Sequence, residues 1–320
     1  MLKKKAIINR FHILVVLLFT LLSFSIHALE PKVIFSNNLE IWTESFGDKK
    51  NPALLLIMGS GGQGILWPQQ FCEELANKGY YVIRYDNRDT GLSASVDFKQ
   101  SPYTLLDLAK DATAILDNYD IQKANIVGAS MGGEVAMIMA AHYPDRLSSL
   151  TLFMTTSDMR PAFDTFQGKP TESLLSKPKP IIFEAVKKMT NPPNTLKEKV
   201  DVFIENTKIN AGTQVPLDTE LLRQIGLQSF VRMRNPEGLN NHFAATTASY
   251  TLHQEALSKI KAPTLILHGD QDPIFGLDHA EALNKAIANS KLIIIPGLGH
   301  GITNTLFYKP IIEGITQIAK

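Results

Sequence analysis

Apolar runs of strand length alternate with amphipathic segments along most of the chain. Residues 53–58, for example, form a continuous apolar run between an Asn-Pro pair and a glycine, as expected for a strand buried on both faces of a parallel sheet. Strands are predicted over residues 32–35, 39–46, 53–58, 81–85, 124–127, 148–154, 263–268 and 291–295. Helices are predicted over residues 71–78, 104–118, 134–142, 280–288 and 311–318. This alternation predicts the α/β class, with a mostly parallel sheet that helices cover on both faces.

The alternation stops between residues 156 and 249, where the chain reads as helical. Thr195 and Glu198 have the spacing of a capping box, and an apolar stripe follows them. The apolar positions of this segment are Leu196, Val200, Phe203, Ile204, Leu221, Leu222, Ile225 and Phe230. We predict a helical cap at residues 156–249, lying over the edge of a core that is formed by residues 29–155 and 250–320.

The first 28 residues differ in kind from the rest. Lys3, Lys5 and Arg10 precede an apolar run at residues 13–24, and Ala28 follows it closely. This layout predicts a secretory signal peptide that is cut after Ala28, and hence a periplasmic or secreted protein. The run is shorter than the roughly 20 residues that cross a bilayer, so no stable membrane span is expected after cleavage.

Charge and cysteine content exclude several classes of partner. Among 320 residues, 32 are Lys or Arg and 31 are Asp or Glu, so no basic surface for nucleic acid is expected. The one cysteine, Cys72, cannot form an intramolecular disulfide, and no cluster of histidines accompanies it. The sequence therefore predicts neither a metal site nor an organic cofactor.

A glycine-flanked serine stands where the fifth predicted strand turns into a helix. Gly128 and Gly132 lie two residues either side of Ser130, which suits a turn too tight for a Cβ at those positions. Such a turn exposes the serine hydroxyl beside a helix N-terminus, which favours developing negative charge. We predict that Ser130 is a nucleophile.

Ligands of open parallel sheets bind outside the carboxyl ends of the strands, so a site is expected in the loops at that edge. The loop after the seventh strand contains Asp270 and Asp272, and the loop after the eighth contains His300. An imidazole of ordinary pKa, about 6.5, can take the serine proton, and a carboxylate can orient it. We predict His300 as the base and Asp272 as its partner, since Pro273 stiffens the position of Asp272. Asp270 reads better as a carboxylate that bonds loop backbone.

Two backbone N–H groups are candidates for an oxyanion hole. Met131 follows the nucleophile directly, and the glycine-rich loop after the third strand offers Ser60. Both can face the oxygen on which charge develops during attack at a carbonyl carbon. We predict Ser60 and Met131 as the two donors.

The order serine, acid, histidine is typical of the α/β-hydrolase superfamily, which the chain after residue 28 resembles. Residues 57–59, 82–93 and 147–151 are similar to the aclacinomycin methylesterase-like branch, whose members are serine esterases with a helical cap. The resemblance implies an α/β-hydrolase fold, with an eight-stranded sheet and a cap inserted after strand 6. We interpret residues 86–93 as a hydrogen-bonded turn that supports the oxyanion and nucleophile loops, without a catalytic role.

These features predict a serine hydrolase of carboxylic esters that works through an acyl-enzyme on Ser130. An aminopeptidase similar to proline iminopeptidases, an acyltransferase and a cofactor-free perhydrolase share the same residues and stay open, as does a hydrolase fold that only binds a small molecule. Epoxide hydrolases and dehalogenases need an aspartate where this chain has Ser130. The apolar cap predicts small, uncharged, moderately apolar esters as substrates. The oligomeric state stays open.

Overall fold

The computed structural model describes residues 31–212 and 216–319. The predicted signal peptide, residues 1–28, lies outside these residues and stays a prediction. The strands are β1 (Lys32–Ser36), β2 (Leu39–Phe46), β3 (Ala53–Ile57), β4 (Tyr81–Tyr85), β5 (Ala124–Ala129), β6 (Leu147–Phe153), β7 (Thr264–Gly269) and β8 (Ser290–Ile295). The helices are α1 (Gln69–Asn77), α2 (Leu105–Asn118), α3 (Met131–His142), α4 (Arg160–Phe166), α5 (Ile181–Thr190), α6 (Leu196–Asn210), α7 (Thr219–Arg232), α8 (Gly238–Ala248), α9 (Tyr250–Leu257), α10 (Leu277–Ala286) and α11 (Tyr308–Ile318).

The eight strands form a single sheet in the order β1-β2-β4-β3-β5-β6-β7-β8. The strand β2 is antiparallel to both β1 and β4, and every other neighbouring pair is parallel. The prediction of a mostly parallel, eight-stranded sheet with flanking helices is therefore confirmed. Asn37 and Asn38, both at positive φ, form the turn between the first two strands, a conformation that asparagine tolerates well.

Alternate residues of β3 show how the sheet divides the core. Leu55 and Ile57 belong to the apolar cluster that includes α2, α3 and α9, whereas Leu54 and Leu56 belong to the cluster that includes α1 and α11. All four side chains are fully buried. Because successive side chains of a strand point to opposite faces, a strand covered on both sides must be apolar throughout. This explains the unbroken run in the sequence.

The helices α4 to α8 lie in the segment predicted as the cap. Helices α6 and α7 pack on each other through Val200, Ile204 and Leu222, and the capping box of Thr195 and Glu198 forms at the start of α6 as predicted. Leu196 is an exception to the predicted stripe, because its side chain is 44% exposed. It stands in the first turn of α6 and lines a surface cavity together with Phe230 of α7. In the described part of the chain no helix is long and apolar enough to cross a membrane.

The cap segment contacts the loops at the carboxyl edge of the sheet. His242 on α8 bonds the loop after β3, and the carbonyl oxygen of Asn210 at the end of α6 accepts the backbone N–H of His300 at 2.6 Å. The cap is therefore attached to the edge where the predicted site residues lie.

Candidate active site

Ser130 lies between β5 and α3 in a backbone conformation that non-glycine residues seldom adopt, with φ of 54° and ψ of −125°. Neighbouring groups hold this turn in place. The Ser130 N–H donates to the carbonyl of Phe153 at 3.0 Å, and the Ser130 carbonyl accepts from Gly133 N–H and Thr155 Oγ1, both at 2.8 Å. Strained backbone persists where its surroundings determine it in this way, and such strain concentrates at functional sites.

The two flanking glycines are required by close approach of backbone. A Cβ on Gly128 would overlap the carbonyl of Gly132, and a Cβ on Gly132 would overlap the carbonyl of Ile57 on β3. The helix α3 therefore starts as close to the sheet as backbone atoms allow. This contact leaves Ser130 at the carboxyl end of β5, beside the loop that follows β3.

Asp272 and His300 are brought together by the loops after β7 and β8. His300 Nδ1 lies 2.7 Å from Asp272 Oδ2, while Asp272 Oδ1 accepts the backbone N–H groups of Ile274 and Phe275 at 2.8 and 2.9 Å. The carboxylate is buried and the imidazole is partly buried. With Nδ1 donating to Asp272, the other ring nitrogen of His300, Nε2, is left as an acceptor.

The charge of Asp272 is maintained although the residue is buried. Burial acts to raise the pKa of this carboxyl, but the charge and hydrogen bond of His300, the nearby His268 and the N–H of Phe275 outweigh it and hold the pKa below its ordinary value. His268 Nε2 lies 3.8 Å from Asp272 Oδ2 and donates to the Phe275 carbonyl at 2.9 Å. The site therefore contains a charged acceptor for His300 at neutral pH.

Asp270 has a different partner. Its Oδ1 accepts the backbone N–H of Gly297 at 2.7 Å, and its side chain is exposed. It links the loops after β7 and β8 without contacting His300. Of the two aspartates that the sequence offered, the structure brings only Asp272 to the imidazole.

The glycine-rich loop after β3 passes directly beside the nucleophile candidate. A Cβ built on Gly59 would lie 2.9 Å from Ser130 Cβ and 3.4 Å from Ser130 Oγ. In this loop the N–H of Gly61 is bonded to His242 Nδ1 at 3.0 Å and that of Gly62 to the Gly59 carbonyl at 3.1 Å. Ser60 follows Gly59, which contacts Ser130, and precedes Gly61 and Gly62, whose N–H groups are already hydrogen-bonded. Met131 is the first residue of α3, and its N–H has no acceptor within the helix.

Ser130 and His300 stand at the carboxyl ends of β5 and β8, on the same edge of the sheet. Within the described residues no hydrogen bond joins Ser130 Oγ to His300 Nε2. Bonds of this kind in serine hydrolases often tighten only when substrate is bound.

The turn at residues 86–93 makes the supporting bonds that its sequence suggested. Asn87 Nδ2 donates to the carbonyl of Met58, and Asp86 Oδ1 accepts the N–H of Gly64 at 2.7 Å. Both bonds hold the two ends of the loop that passes Ser130. The turn therefore supports the site indirectly, by holding the backbone of the loop after β3.

Several groups near the site were missed by sequence reasoning. The ring of Phe275 packs edge-on against the imidazole of His300, with 5.5 Å between the ring centres. Phe275 shares a buried cluster with Phe163 of the cap, which in turn lines a cavity of about 520 Å³. The aromatic residues of that cavity are Phe163, Phe166, Phe183 and Phe243. Their helices are separated along the chain, so no local pattern indicates that they meet.

The arrangement contains the chemical groups that acyl transfer requires. It combines a strained serine at a helix N-terminus, a carboxylate-bound imidazole and unused backbone N–H groups at one edge of the sheet. No group of three or more His, Cys, Asp or Glu side chains that could hold a metal ion occurs in the described ranges.

Comparison with known proteins identifies the fold and the family. The family model for the alpha/beta hydrolase fold matches residues 52–175 and 218–303. Rhodomycin D methylesterase DauP from Streptomyces sp. (strain C5) is 30% identical over 279 residues, which cover 86% of this chain and 93% of that protein. Rhodomycin D methylesterase DnrP from Streptomyces peucetius is 29% identical over the same shares of both chains.

Solved structures show the same fold. A bromoperoxidase from Bacillus anthracis aligns with a TM-score of 0.71 at 23% identity, over 90% of this chain and 99% of that one. A hydrolase from Pseudomonas aeruginosa PA01 aligns with a TM-score of 0.69 at 21% identity, over 90% and 98% of the two chains. Since the family model matches more than half of the chain and the methylesterase likeness extends over 86% of it, this chain belongs to the α/β-hydrolase fold family, in its aclacinomycin methylesterase-like branch.

Proposed function

We propose that this protein is a serine carboxylesterase that hydrolyses carboxylic esters through an acyl-enzyme on Ser130. The observation that carries the proposal is the hydrogen bond between His300 Nδ1 and the buried Asp272, at the sheet edge that also holds the strained Ser130. This bond fixes the imidazole in the tautomer that a general base requires. The methylesterase relatives support an ester as the substrate.

In the proposed reaction, Ser130 Oγ attacks the ester carbonyl carbon while His300 Nε2 takes the hydroxyl proton. A carbon–oxygen bond forms, and the carbonyl electron pair moves to the oxygen. When the tetrahedral intermediate collapses, the ester's alkoxy group leaves and receives the proton from His300. Water then attacks the acyl-enzyme in the same way, releasing the carboxylic acid and restoring Ser130.

The oxyanion would be stabilised by the backbone N–H groups of Ser60 and Met131. Ser60 is supported by its position between Gly59, which lies against Ser130, and Gly61, whose N–H is already bonded to His242. The support for Met131 is its place at the N-terminus of α3, where the helix dipole adds partial positive charge. Preorganised donors of this kind are each worth about 10² to 10³ in rate.

The substrate proposal keeps the class suggested by sequence, uncharged and moderately apolar esters, but moves the binding surface. Val200, Ile204 and Leu222 pack between α6 and α7, with Phe203 and Phe230 against them. The cavity lined by the four phenylalanines of α4, α5 and α8 also has Glu184 and Lys187 on its wall. It connects to His300 only through Phe275, which packs in one cluster with Phe163 and whose ring contacts the imidazole. A volume of about 520 Å³ suits a small or medium-sized group, which favours such esters over long-chain lipids.

A fluorophosphonate probe tests the nucleophile. We expect labelling of one residue, Ser130, identified by peptide mass spectrometry on the purified protein. The Ser130→Ala variant should fold with a Tm near that of the parent protein and lose about 10⁴-fold or more in kcat. Labelling at another serine, or activity retained in this variant, contradicts the assignment.

A substrate panel distinguishes the remaining activities. We would compare kcat/KM for acetyl, butyryl, octanoyl and palmitoyl nitrophenyl esters and for alanine and proline nitroanilides. The proposal expects the acetyl or butyryl ester to be best. A nitroanilide as the best substrate would establish an aminopeptidase, and a palmitoyl optimum would establish a lipase-like cleft. No turnover and no probe labelling would leave a fold that only binds a ligand.

A further inference from the structure

The loop after β3, residues 59–64, is called the oxyanion loop here, and it is fastened to the cap at two places. At the first, His242 of α8 stands between two backbone groups of the core. Its Nδ1 lies 3.0 Å from the N–H of Gly61, and its Nε2 lies 2.9 Å from the carbonyl oxygen of Arg88. The imidazole is completely buried. These contacts span 181 and 154 residues of sequence.

The two partners determine the tautomer of His242. A carbonyl oxygen can only accept, so Nε2 carries the hydrogen and donates to Arg88. Nδ1 is then the unprotonated nitrogen, and it accepts from Gly61. Burial lowers the pKa of this histidine, against the opposing hydrogen bond to Arg88 and the charge of Asp89, and thereby favours the neutral ring that both bonds require.

The second fastening lies at the far end of the oxyanion loop. Gln63 Nε2 donates to the carbonyl of Ser229 on α7 at 2.7 Å, and Arg232 Nε donates to Gln63 Oε1 at 3.2 Å. Arg232 also pairs with Asp86 at 2.6 Å, and the same carboxylate accepts the N–H of Gly64. The cap therefore binds this loop directly at Gly61 and at Gln63, and it reaches Gly64 through Asp86.

The oxyanion loop has little rigidity of its own. Gly59, Gly61 and Gly62 lack a Cβ, and Gly61 has a φ of 66°. Glycine populates many backbone conformations, so an untethered loop of this composition would lose the alignment of its N–H groups. The N–H of Gly61 belongs to the peptide plane that follows Ser60. Fixing that plane restricts the rotation of Ser60 and hence the direction of its own N–H.

We propose that His242 is a positioning residue for the oxyanion hole, by which the cap holds the Ser60 N–H in its working direction. The inference rests on the proposed function, because it gives His242 a role in stabilising the oxyanion. It also makes the cap part of the catalytic apparatus, since an oxyanion loop released from α7 and α8 loses its alignment.

Two substitutions at position 242 separate the bonds. In His242→Asn, the amide oxygen can occupy the place of Nδ1 and accept from Gly61. In His242→Gln, the longer amide reaches the place of Nε2 and can donate to Arg88, but the acceptor for Gly61 is lost. We expect kcat for butyryl nitrophenyl ester to fall about 10-fold to 100-fold in His242→Gln with KM nearly unchanged. The Asn variant should stay within about threefold of the parent kcat.

Ser249→Ala is the matched control. Ser249 is fully buried near the end of the cap segment, and its Oγ accepts the backbone N–H of Leu105 at 2.8 Å. It joins cap to core by the same kind of bond, away from the oxyanion loop. We expect a lower Tm with kcat within about twofold, because a lost buried acceptor destabilises the fold without moving the donors.

A purely structural role for His242 predicts that Asn and Gln lower Tm alike and leave kcat unchanged, and that result overturns the proposal. Equal losses of kcat in both variants overturn it as well. If neither variant folds, Gln63→Met tests the part of the proposal in which the cap aligns the oxyanion loop, because it cuts the second fastening. A fall in kcat with KM unchanged supports alignment by the cap, and an unchanged kcat overturns that part of the proposal. Ser130→Ala tests the proposed function separately from the role of His242. Activity retained in that variant would contradict the proposed function, regardless of the results at position 242.

Discussion

At Asp272, burial and hydrogen bonding act on one carboxylate in opposite directions. Burial alone would favour the protonated form, yet three donors surround the group and its pKa lies below the ordinary value. Asp270 in the same loop is exposed, and its side chain accepts the backbone N–H of Gly297. The two aspartates, separated by one residue, therefore differ in burial and in hydrogen-bond partners: Asp272 is buried and binds His300, whereas Asp270 is exposed and binds loop backbone.

Replacing each aspartate by asparagine tests this contrast. In Asp272→Asn, the amide no longer fixes the imidazole tautomer or stabilises its charged form, so kcat should fall by about 10⁴. Asp270→Asn should change kcat by no more than about threefold, since it alters an exposed loop contact. Both values follow from steady-state kinetics on butyryl nitrophenyl ester. The reverse ranking would assign the orienting role to Asp270.

The turn from β5 to α3 is an element whose boundaries depend on contacts outside it. The sequence predicts a strand over residues 124–127 and a helix from residue 134, whereas β5 extends to Ala129 and α3 begins at Met131. Gly132 and Gly133 read as helix breakers in isolation. In the fold their missing side chains let the first turn of α3 approach β3 and Thr155.

Gly132→Ala tests the close approach. The added methyl overlaps the carbonyl of Ile57, so α3 must move away from β3, at a cost of about 1–3 kcal/mol or more in the free energy of unfolding. Gly301→Ala is the matched change, because a Cβ there meets no atom within 4 Å, and it should shift stability by less than about 0.5 kcal/mol. Urea unfolding monitored by tryptophan fluorescence measures both. Equal stability of the two variants would mean that α3 is not tightly seated.

For the molecule as a whole, the interface of α3 and α9 contains a buried acid and a buried base. Glu134 Oε2 lies 4.0 Å from His253 Nδ1, and neither ring nitrogen of His253 has a hydrogen-bond partner among residues 31–212 and 216–319. Burial lowers the pKa of His253 to about 4, with Asp158 acting weakly in the opposite direction, and it raises the pKa of Glu134 well above its ordinary value. Burial therefore favours the uncharged form of both groups, and His253 is uncharged in the fold near neutral pH.

Acid should destabilise the protein through His253. The unfolded histidine binds a proton below a pH of about 6.5, whereas the folded one stays neutral to a pH of about 4, so the free energy of unfolding falls between these values. The loss attributable to His253 should reach about 2 kcal/mol at pH 5, relative to pH 7.5. Glu134 contributes with the opposite sign, because its folded form holds a proton that the unfolded form releases.

The His253→Leu variant isolates that contribution. Urea unfolding at pH 7.5 and pH 5 measures how much each protein loses in free energy of unfolding on acidification. The variant should lose about 2 kcal/mol less than the parent. The contribution of Glu134 is present in both proteins and cancels to first order. Identical pH dependence in the two proteins would show that His253 takes up its proton over the same pH range in the folded and unfolded states, which contradicts the prediction.

The order of strands and helices could be predicted from the sequence because it depends on local information. A strand buried on both faces must be apolar throughout, as β3 is, and a turn with two residues at positive φ favours asparagine, as at residues 37–38. The supporting turn at residues 86–93 and the glycine-flanked turn at Ser130 also have short sequence signatures. These features can be predicted without knowledge of distant neighbours. The signal peptide is also predicted from local sequence, and it stays a prediction.

Only the tertiary structure decided which distant groups meet. The pairing of His300 with Asp272 instead of Asp270 depends on how two loops are seated after β7 and β8. The bond from His242 to Gly61 joins residues 181 positions apart, and the aromatic cavity collects side chains from three cap helices. Such contacts leave no periodic trace, because a hydrogen bond or a ring contact constrains position in space and not spacing along the chain. The sequence determined the sheet and the candidate nucleophile, and folding determined the environment in which that nucleophile would act.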